Sequence, residues 1–380
     1  MPSRAEQIFA LGQSVWLDFI RRGHLASGEF DSLVRDQGVV GVTSNPTIFQ
    51  QAITQSDDYD AALGKLVAEG LDPITIFDRL SVEDIQIACD RLRPVYERTG
   101  GVDGRVSIEV GPNLANDSAG TLAEARRLHR LVARDNVLIK IPATAAGIPA
   151  IADAIADGIS INVTLIFSLA RHEQVMDAYL TGLERRATIG LPLEPLHSVA
   201  SFFVSRVDSK IDKAIDEAVS KLPAGNASRA ALEQLPGRAA IANARLAYAR
   251  FLEVFGSQRF AALRARGARV QRPLWASTST KNAAYPDTMY VDELIGPDTV
   301  NTLPPQTLLA FNDHGRVEVR IGHDLEGARA LFPRLASLGV PATQLIDQLE
   351  GEGVASFAKS YDALIEGIAS RRRELMGSTR

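Results

Sequence analysis

In Asn136-Val137-Leu138-Ile139-Lys140-Ile141-Pro142 a single charge interrupts a short aliphatic run that closes on proline. Such a run has the pattern of a strand buried on both faces, as in a parallel sheet covered by helices. Its lysine, Lys140, must then be desolvated, and desolvation of an amine favours the neutral, nucleophilic form. A Schiff-base lysine needs that form. On the strand alone the commoner fate competes with this one: a lysine that leaves the strand end for solvent or for a carboxylate.

Outward from that strand, similar β-branched or aliphatic runs fall near 14–18, 38–43, 105–110, 136–141, 160–166, 198–204, 271–277 and 299–302, with longer helical stretches between them. Eight strands alternating with helices mean an α/β protein, either a closed parallel barrel or a large open sheet. Between the sixth and seventh runs lies a helical insert, about 207–268, with a helix near 207–221, a Pro-Ala-Gly-Asn-Ala-Ser break and a longer helix from about 229. Its alanine, arginine and leucine content suits packing outside a barrel. From about 315 to 380 the chain is again helical and charged, ending in Arg371-Arg372-Arg373, which reads as a solvated helix end. No solenoid repeat or low-complexity linker divides the chain, so one decorated domain over residues 1–380 is expected.

Composition narrows the function classes. A net charge of −5 argues against nonspecific nucleic-acid binding, which needs a basic surface. The single cysteine, Cys89, excludes an internal disulfide framework and a multi-cysteine zinc site, and its amphipathic surroundings predict a buried helix position. No segment approaches the roughly 18 consecutive apolar residues of a membrane span, and no signal peptide is evident. A cytoplasmic protein that uses neither nucleic acid nor membrane is therefore expected. The six histidines show no zinc-type pairing, and neither a Gly-rich nucleotide loop nor a Gly-x-Ser-x-Gly elbow occurs, so no metal or cofactor is implied. Asn162-Val163-Thr164 and Asn226-Ala227-Ser228 match the glycosylation sequon, but without a secretory signal the match carries nothing.

Polar residues interrupt strands that should be dry. Alternation puts Ser107 and Glu109 on one face of the third run, and Asn162 and Thr164 on one face of the fifth. Asp18 ends the first run and Asn45 the second. In a barrel these residues and Lys140 converge on the carboxyl ends of the strands, where barrel active sites form. Singly, each has an ordinary explanation: Asn45 before proline is a turn residue, and threonine is a tolerated strand former. Together, buried Glu and Lys on one barrel end are hard to explain by packing. A second cluster suits an anion. Ser201-Phe202-Phe203-Val204-Ser205-Arg206 closes the sixth run, and Trp275-Ala276-Ser277-Thr278-Ser279-Thr280-Lys281 the seventh. Hydroxyls and cations at neighbouring strand ends can hold a phosphate.

These motifs resemble the transaldolases, in their longer bacterial form. The resemblance rests on Thr43-Ser44-Asn45-Pro46-Thr47-Ile48-Phe49, on Val137-Leu138-Ile139-Lys140-Ile141-Pro142-Ala143-Thr144 and on Ile161-Asn162-Val163-Thr164-Leu165-Ile166-Phe167-Ser168. Ser107-Ile108-Glu109-Val110 and Trp275-Ala276-Ser277-Thr278 also fit, in order, across roughly residues 14 to 305. The insert and the C-terminal helices carry little of it.

The resemblance implies a (β/α)8 TIM barrel and a class I aldolase mechanism without metal or organic cofactor. It implies that Lys140 forms the Schiff base with a ketose, and that Glu109 exchanges protons through a water that Thr164 helps position. Asp18 would take the proton from the hydroxyl whose loss breaks the carbon–carbon bond. Asn45 and Asn162 would bind hydroxyls of the three-carbon unit, and Ser201, Arg206 and Ser277 the phosphate. The family's seventh strand carries an arginine two residues after that serine; here Ser279 stands there, and Lys281 is the nearest cation. The implied reaction moves dihydroxyacetone from sedoheptulose 7-phosphate to glyceraldehyde 3-phosphate, a step of the pentose phosphate pathway. Two alternatives stay open: a fructose-6-phosphate aldolase-like lyase using the same lysine, and a silent barrel that binds sugar phosphates. The sequence leaves the oligomeric state undetermined.

Overall fold

The computed structural model describes residues 2–377. Eight parallel strands close into a barrel in sequence order: β1 (Gln13–Leu17), β2 (Gly41–Val42), β3 (Arg105–Glu109), β4 (Val137–Pro142), β5 (Ile161–Ile166), β6 (Ser198–Phe203), β7 (Gln271–Ala276) and β8 (Thr299–Leu303). Each follows its predecessor through at least one helix, except that β1 and β8 meet to close the ring. Helices cover the outer face, so the strands are buried on both sides, which is why their sequences are runs rather than alternations. Among the described residues no helix is long and apolar enough to cross a membrane.

The helices start where the sequence supplies caps. Asp72 accepts from Ile74 N and Thr75 N ahead of Pro73–Arg98, with proline at the first helical position. Cys89 lies buried in that helix, and burial pushes its thiol up, away from reactivity. Asn226 caps Ala227–Leu232 through Ser228 N and Arg229 N, which gives the second sequon-like triplet a purely local role.

Two expectations need correction. The second strand, expected over 38–43, is only Gly41–Val42. Val40 N does bond Val15 O, but Val39 N turns back to Leu33 O at the preceding helix end, which shortens the regular ladder. At Gly41 the strand passes against the Trp16 indole, where a Cβ would lie 2.6 Å from Nε1, so only glycine fits. The long helix expected from about 229 is two helices, Ala227–Leu232 and Ala239–Phe255, followed by Gln258–Arg264. Pro236 and Gly237, the latter at φ +74°, break it.

The C-terminal segment forms Leu325–Ser337 and a long helix, Ala342–Gly377. The long helix packs on Pro46–Thr54, on Pro73–Arg98 and on β5, across the end of the barrel where the strands finish. Glu350 pairs with Arg171 at 2.8 Å, Glu352 pairs with Lys210, and Ser360 Oγ accepts from Thr47 Oγ1 at 2.9 Å. Within the terminal basic run, Arg371 pairs with Asp60 at 2.6 Å and Arg373 with Glu366 at 2.8 Å.

Candidate active site

Strand register assembles the centre of the site. Glu109 on β3 stands beside Lys140 on β4, and Lys140 beside Asn162 on β5. Three adjacent parallel strands thus present a carboxylate, an amine and an amide in one row. Lys140 is 4% exposed, and its Nζ donates to Glu109 Oε2 at 3.0 Å and to Ser44 O at 3.1 Å. Burial and pairing with a carboxylate, alternatives on the sequence, occur together. Glu109 Oε1 has no hydrogen-bond partner among the described residues, so half of the carboxyl is free for other work. Burial pushes Glu109 above the ordinary carboxylate range, Lys140 pulls it back, and the charge of Asp18 pushes it further up.

Asp18 directly follows β1, and its backbone N bonds Leu303 O at 2.8 Å. Its Oδ1 accepts from Thr43 Oγ1 at 2.7 Å, and Thr43 Oγ1 in turn lies 2.7 Å from Thr302 Oγ1. A hydroxyl has one proton, so when Thr43 donates to Asp18, Thr302 must donate to Thr43. Burial pushes the Asp18 carboxyl up, against Lys140, the Thr43 hydrogen bond and Lys281, which pull it down. The result is a carboxylate more basic than a surface aspartate.

A bulge re-aims β5 at this level. The β5–β6 register shifts between Val163 and Ile166, and Leu165 sits at φ +60°, a left-handed conformation costly for a branched side chain. Thr164, just before it, is buried with an Oγ1 that has no hydrogen-bond partner among the described residues. An unsatisfied buried hydroxyl costs about 1–3 kcal/mol, so a water or ligand at this atom would be retained. Both polar atoms of Asn162 are bonded by comparison: Nδ2 donates to Ser107 Oγ at 3.0 Å, and Oδ1 accepts from Ser201 Oγ at 2.7 Å. Ser201 therefore belongs to the floor of the site, bonded to Asn162. Asn45 caps Pro46–Thr54 through Ile48 N at 3.0 Å, so its amide nitrogen is the group left to meet a ligand.

A cavity of about 460 Å³ opens on the strand ends, lined by Asp18, Asn45, Lys140, Thr164, Ser201, Arg206, Ser277 and Lys281 among others. That volume suits a small ligand. Glu109 and Asn162 do not line it; Glu109 instead borders an adjacent cavity of about 40 Å³, with Ser81, Asp78, Glu124 and Tyr361. The positive side of the mouth is built by one contact between strand ends. Ser277, at φ +58°, places its Oγ 2.9 Å from Ser205 Oγ, and Ser205 N bonds Ser277 O at 3.0 Å. Ser205 starts the helix Ser205–Ser220, so Arg206 stands in its first turn. The Arg206 guanidinium is half-buried, lies over Phe203 and Phe357, and has no carboxylate partner among the described residues. Burial pulls it down, as it does Lys281, which is pulled down further by the charge of Arg206 and back up by Asp18. Lys281 Nζ donates to Ser279 Oγ at 2.7 Å, so the serine in the family's arginine position holds the lysine instead.

Several site residues went unassigned on the sequence. Thr43 and Ser44 lie inside a quoted motif but were given no role, and Thr302 is one more strand threonine. Phe357 comes from the C-terminal helix, 4% exposed, with its ring 5.6 Å from Lys140 Nζ. Nothing in its local sequence marks it. Among the described residues no group of three or more His, Cys, Asp or Glu side chains could hold a metal ion.

Comparison with known proteins shows the family. The transaldolase/fructose-6-phosphate aldolase family model matches residues 15–368. A transaldolase of Mycolicibacterium smegmatis is 50% identical over 361 residues, 94% of each chain. Transaldolase 2 of Streptomyces coelicolor is 49% identical over 368 residues, 97% of this chain and 96% of its own. A transaldolase of Thermobifida fusca is 49% identical over 373 residues, 98% and 99% of the two chains. The match runs on through the insert and most of the C-terminal helix, so the chain belongs to the transaldolase/fructose-6-phosphate aldolase family and is a transferase of the transaldolase kind.

Proposed function

We propose that Lys140 carries a dihydroxyacetone unit as a Schiff base from sedoheptulose 7-phosphate to glyceraldehyde 3-phosphate, giving erythrose 4-phosphate and fructose 6-phosphate. The observation that carries this is the buried pair of Glu109 with Lys140, where Lys140 lines a cavity whose wall also holds Arg206, which has no carboxylate partner among the described residues. Attack on the ketose carbonyl needs the amine lone pair, which Glu109 uncovers by taking the ammonium proton; its burial-raised affinity for protons suits it to that task. Glu109 then returns the proton to the carbinolamine hydroxyl, which leaves as water. Thr164 Oγ1, without a protein partner, is the group available to hold that water.

Cleavage follows from the imine. Asp18 takes the proton of the hydroxyl on the carbon beyond the scissile bond. The carbon–carbon bond breaks to form the aldehyde, and its electrons pass into the protonated imine, leaving an enamine on Lys140. Thr43 and Thr302 hold the Asp18 carboxylate for this step. The acceptor aldehyde reverses the sequence, with Asp18 returning its proton to the new hydroxyl. Asn45 would bind a hydroxyl of the three-carbon unit through its amide nitrogen, while Asn162 acts from beneath by fixing Ser201. Arg206, Lys281 and Ser277 would take the phosphate. Substrates that carry phosphate and a chain with a net charge of −5 fit a cytoplasmic enzyme with no nucleic-acid role.

The test is reductive trapping. Borohydride added with donor ketose should add the mass of the reduced three-carbon adduct on the peptide containing Lys140. Labelling on any other lysine would sink the assignment.

A further inference from the structure

The family's chemistry leaves one step unguarded. The enamine on Lys140 is handed on only if it survives until an aldehyde arrives. Its alternative is release: the enamine carbon takes a proton, a water oxygen adds to the iminium carbon, the carbon–nitrogen bond breaks, and free dihydroxyacetone leaves with Lys140 restored as an amine. The hydrolysis ends both routes, since the transferred product also leaves Lys140 by taking up a water; protonation of the enamine carbon belongs to release alone, and whatever keeps proton-carrying water from that carbon favours transfer.

Phe357 stands at that place. Its ring lies 5.6 Å from Lys140 Nζ and 5.9 Å from the Arg206 guanidinium carbon, and the residue is 4% exposed. One aromatic ring thus bridges the nucleophile and the half-buried arginine on the cavity wall. An aromatic face offers nothing to which water can bond well. The ring is held there by its helix. Gly353, one turn earlier, lets the helix settle on the β5 bulge, where a Cβ would stand 3.0 Å from Leu165 Cδ2 and 3.5 Å from Phe167. The ion pair of Glu350 with Arg171 secures the same turn from outside the barrel.

We infer that Phe357 is a positioning residue that sets the partition between transfer and release, by keeping proton-carrying water from the enamine that Lys140 holds. The inference rests on the Schiff-base role proposed for Lys140. The experiment uses the full chain with fructose 6-phosphate as donor and erythrose 4-phosphate as acceptor. It reads free dihydroxyacetone released per sedoheptulose 7-phosphate formed, with borohydride trapping on the same samples. Phe357→Ala should raise that ratio by about tenfold or more while trapping at Lys140 persists. Phe357→Leu, which keeps apolar bulk, should stay within about twofold of the parent. Phe357→Gln retains much of the volume but admits a water-binding amide, and should raise the ratio even if the alanine variant does not fold. An unchanged ratio in a folded Ala or Gln variant overturns the inference, as does an equal rise in Phe357→Leu. Absence of trapping at Lys140 in the parent protein overturns the Schiff-base proposal itself, a separate result.

Discussion

A buried ion pair sits at each end of the barrel, and the two are finished to different degrees. At the amino-terminal end Arg272 meets Asp103 at 3.0 Å. Asp103 also accepts from Ser14 Oγ at 2.8 Å and Trp16 Nε1 at 3.0 Å, while Arg272 donates further to Ser14 Oγ and Val102 O. Both oxygens of that carboxylate are bonded. At the carboxyl-terminal end Lys140 meets Glu109 at the same 3.0 Å, yet among the described residues Glu109 Oε1 and Thr164 Oγ1 have no hydrogen-bond partner and Arg206 has no carboxylate. The Asp103–Arg272 pair has its bonds filled; the Glu109–Lys140 pair offers spare valences to a ligand. Distance between the charged partners does not separate the two roles. The bonds left over do.

The comparison can be broken most severely at the nucleophile. Lys140→Ala should cut kcat by about a thousandfold or more and remove borohydride labelling, because it deletes the amine proposed to form the imine. Its chemical denaturation midpoint should move far less than its activity, since Glu109 left alone can take up a proton. Arg272→Met should do the opposite: it strands the buried Asp103 carboxylate and should cost about 3–5 kcal/mol in denaturant unfolding. The protein that remains folded should keep kcat within about twofold at low denaturant, since Arg272 lies at the opposite end of the barrel. A large loss of kcat in folded Arg272→Met would erase the distinction between the two ends.

Smaller changes sharpen it. Arg206→Ala should raise KM for phosphorylated donors by about 10- to 100-fold, with a much smaller rise for an unphosphorylated ketose. Equal rises for both would remove the phosphate role. The smallest effect concerns Asp18, whose carboxyl is pushed up by burial. A carboxyl raised in the folded state contributes stability that is complete below its unfolded value and is lost as pH rises through the folded value. Asp18→Asn, which avoids that loss, should therefore gain on the parent as pH rises toward neutrality, with the gap closing below about pH 4. Urea titrations at several pH values measure it. A gap that widens toward acid would mean that the folded value lies below the unfolded one. The same variant should lose most of its turnover, a trade of stability against function.

Much of the site was legible because it rests on local patterns. Lys140, Glu109, Asn162 and Thr164 stood out as polar residues in runs that burial should keep dry, and Asp18 and Asn45 as polar residues that end such runs. Finer detail was not. That Ser201 is bonded to Asn162 follows from the pairing of β5 with β6, which brings together residues far apart in the chain. That Lys281 leans on Ser279 depends on a loop whose sequence reads as an ordinary hydroxyl-rich turn. The break at Pro236-Gly237 is legible in the sequence, since both residues are strong helix breakers.

By itself the sequence determined the barrel's composition: eight runs, their order, and the carboxyl-terminal end at which polar residues gather. These follow from hydrophobic periodicity and from the cost of burying a charge, both local properties of the chain. Tertiary structure alone decided three things. Lateral register made Glu109 and Lys140 neighbours, and the bulge at Leu165 left Thr164 without a partner. The long C-terminal helix carried Phe357 back across more than two hundred residues of chain to face Lys140. No local pattern encodes such a return, because contact between distant segments depends on how helix and barrel surfaces pack against each other.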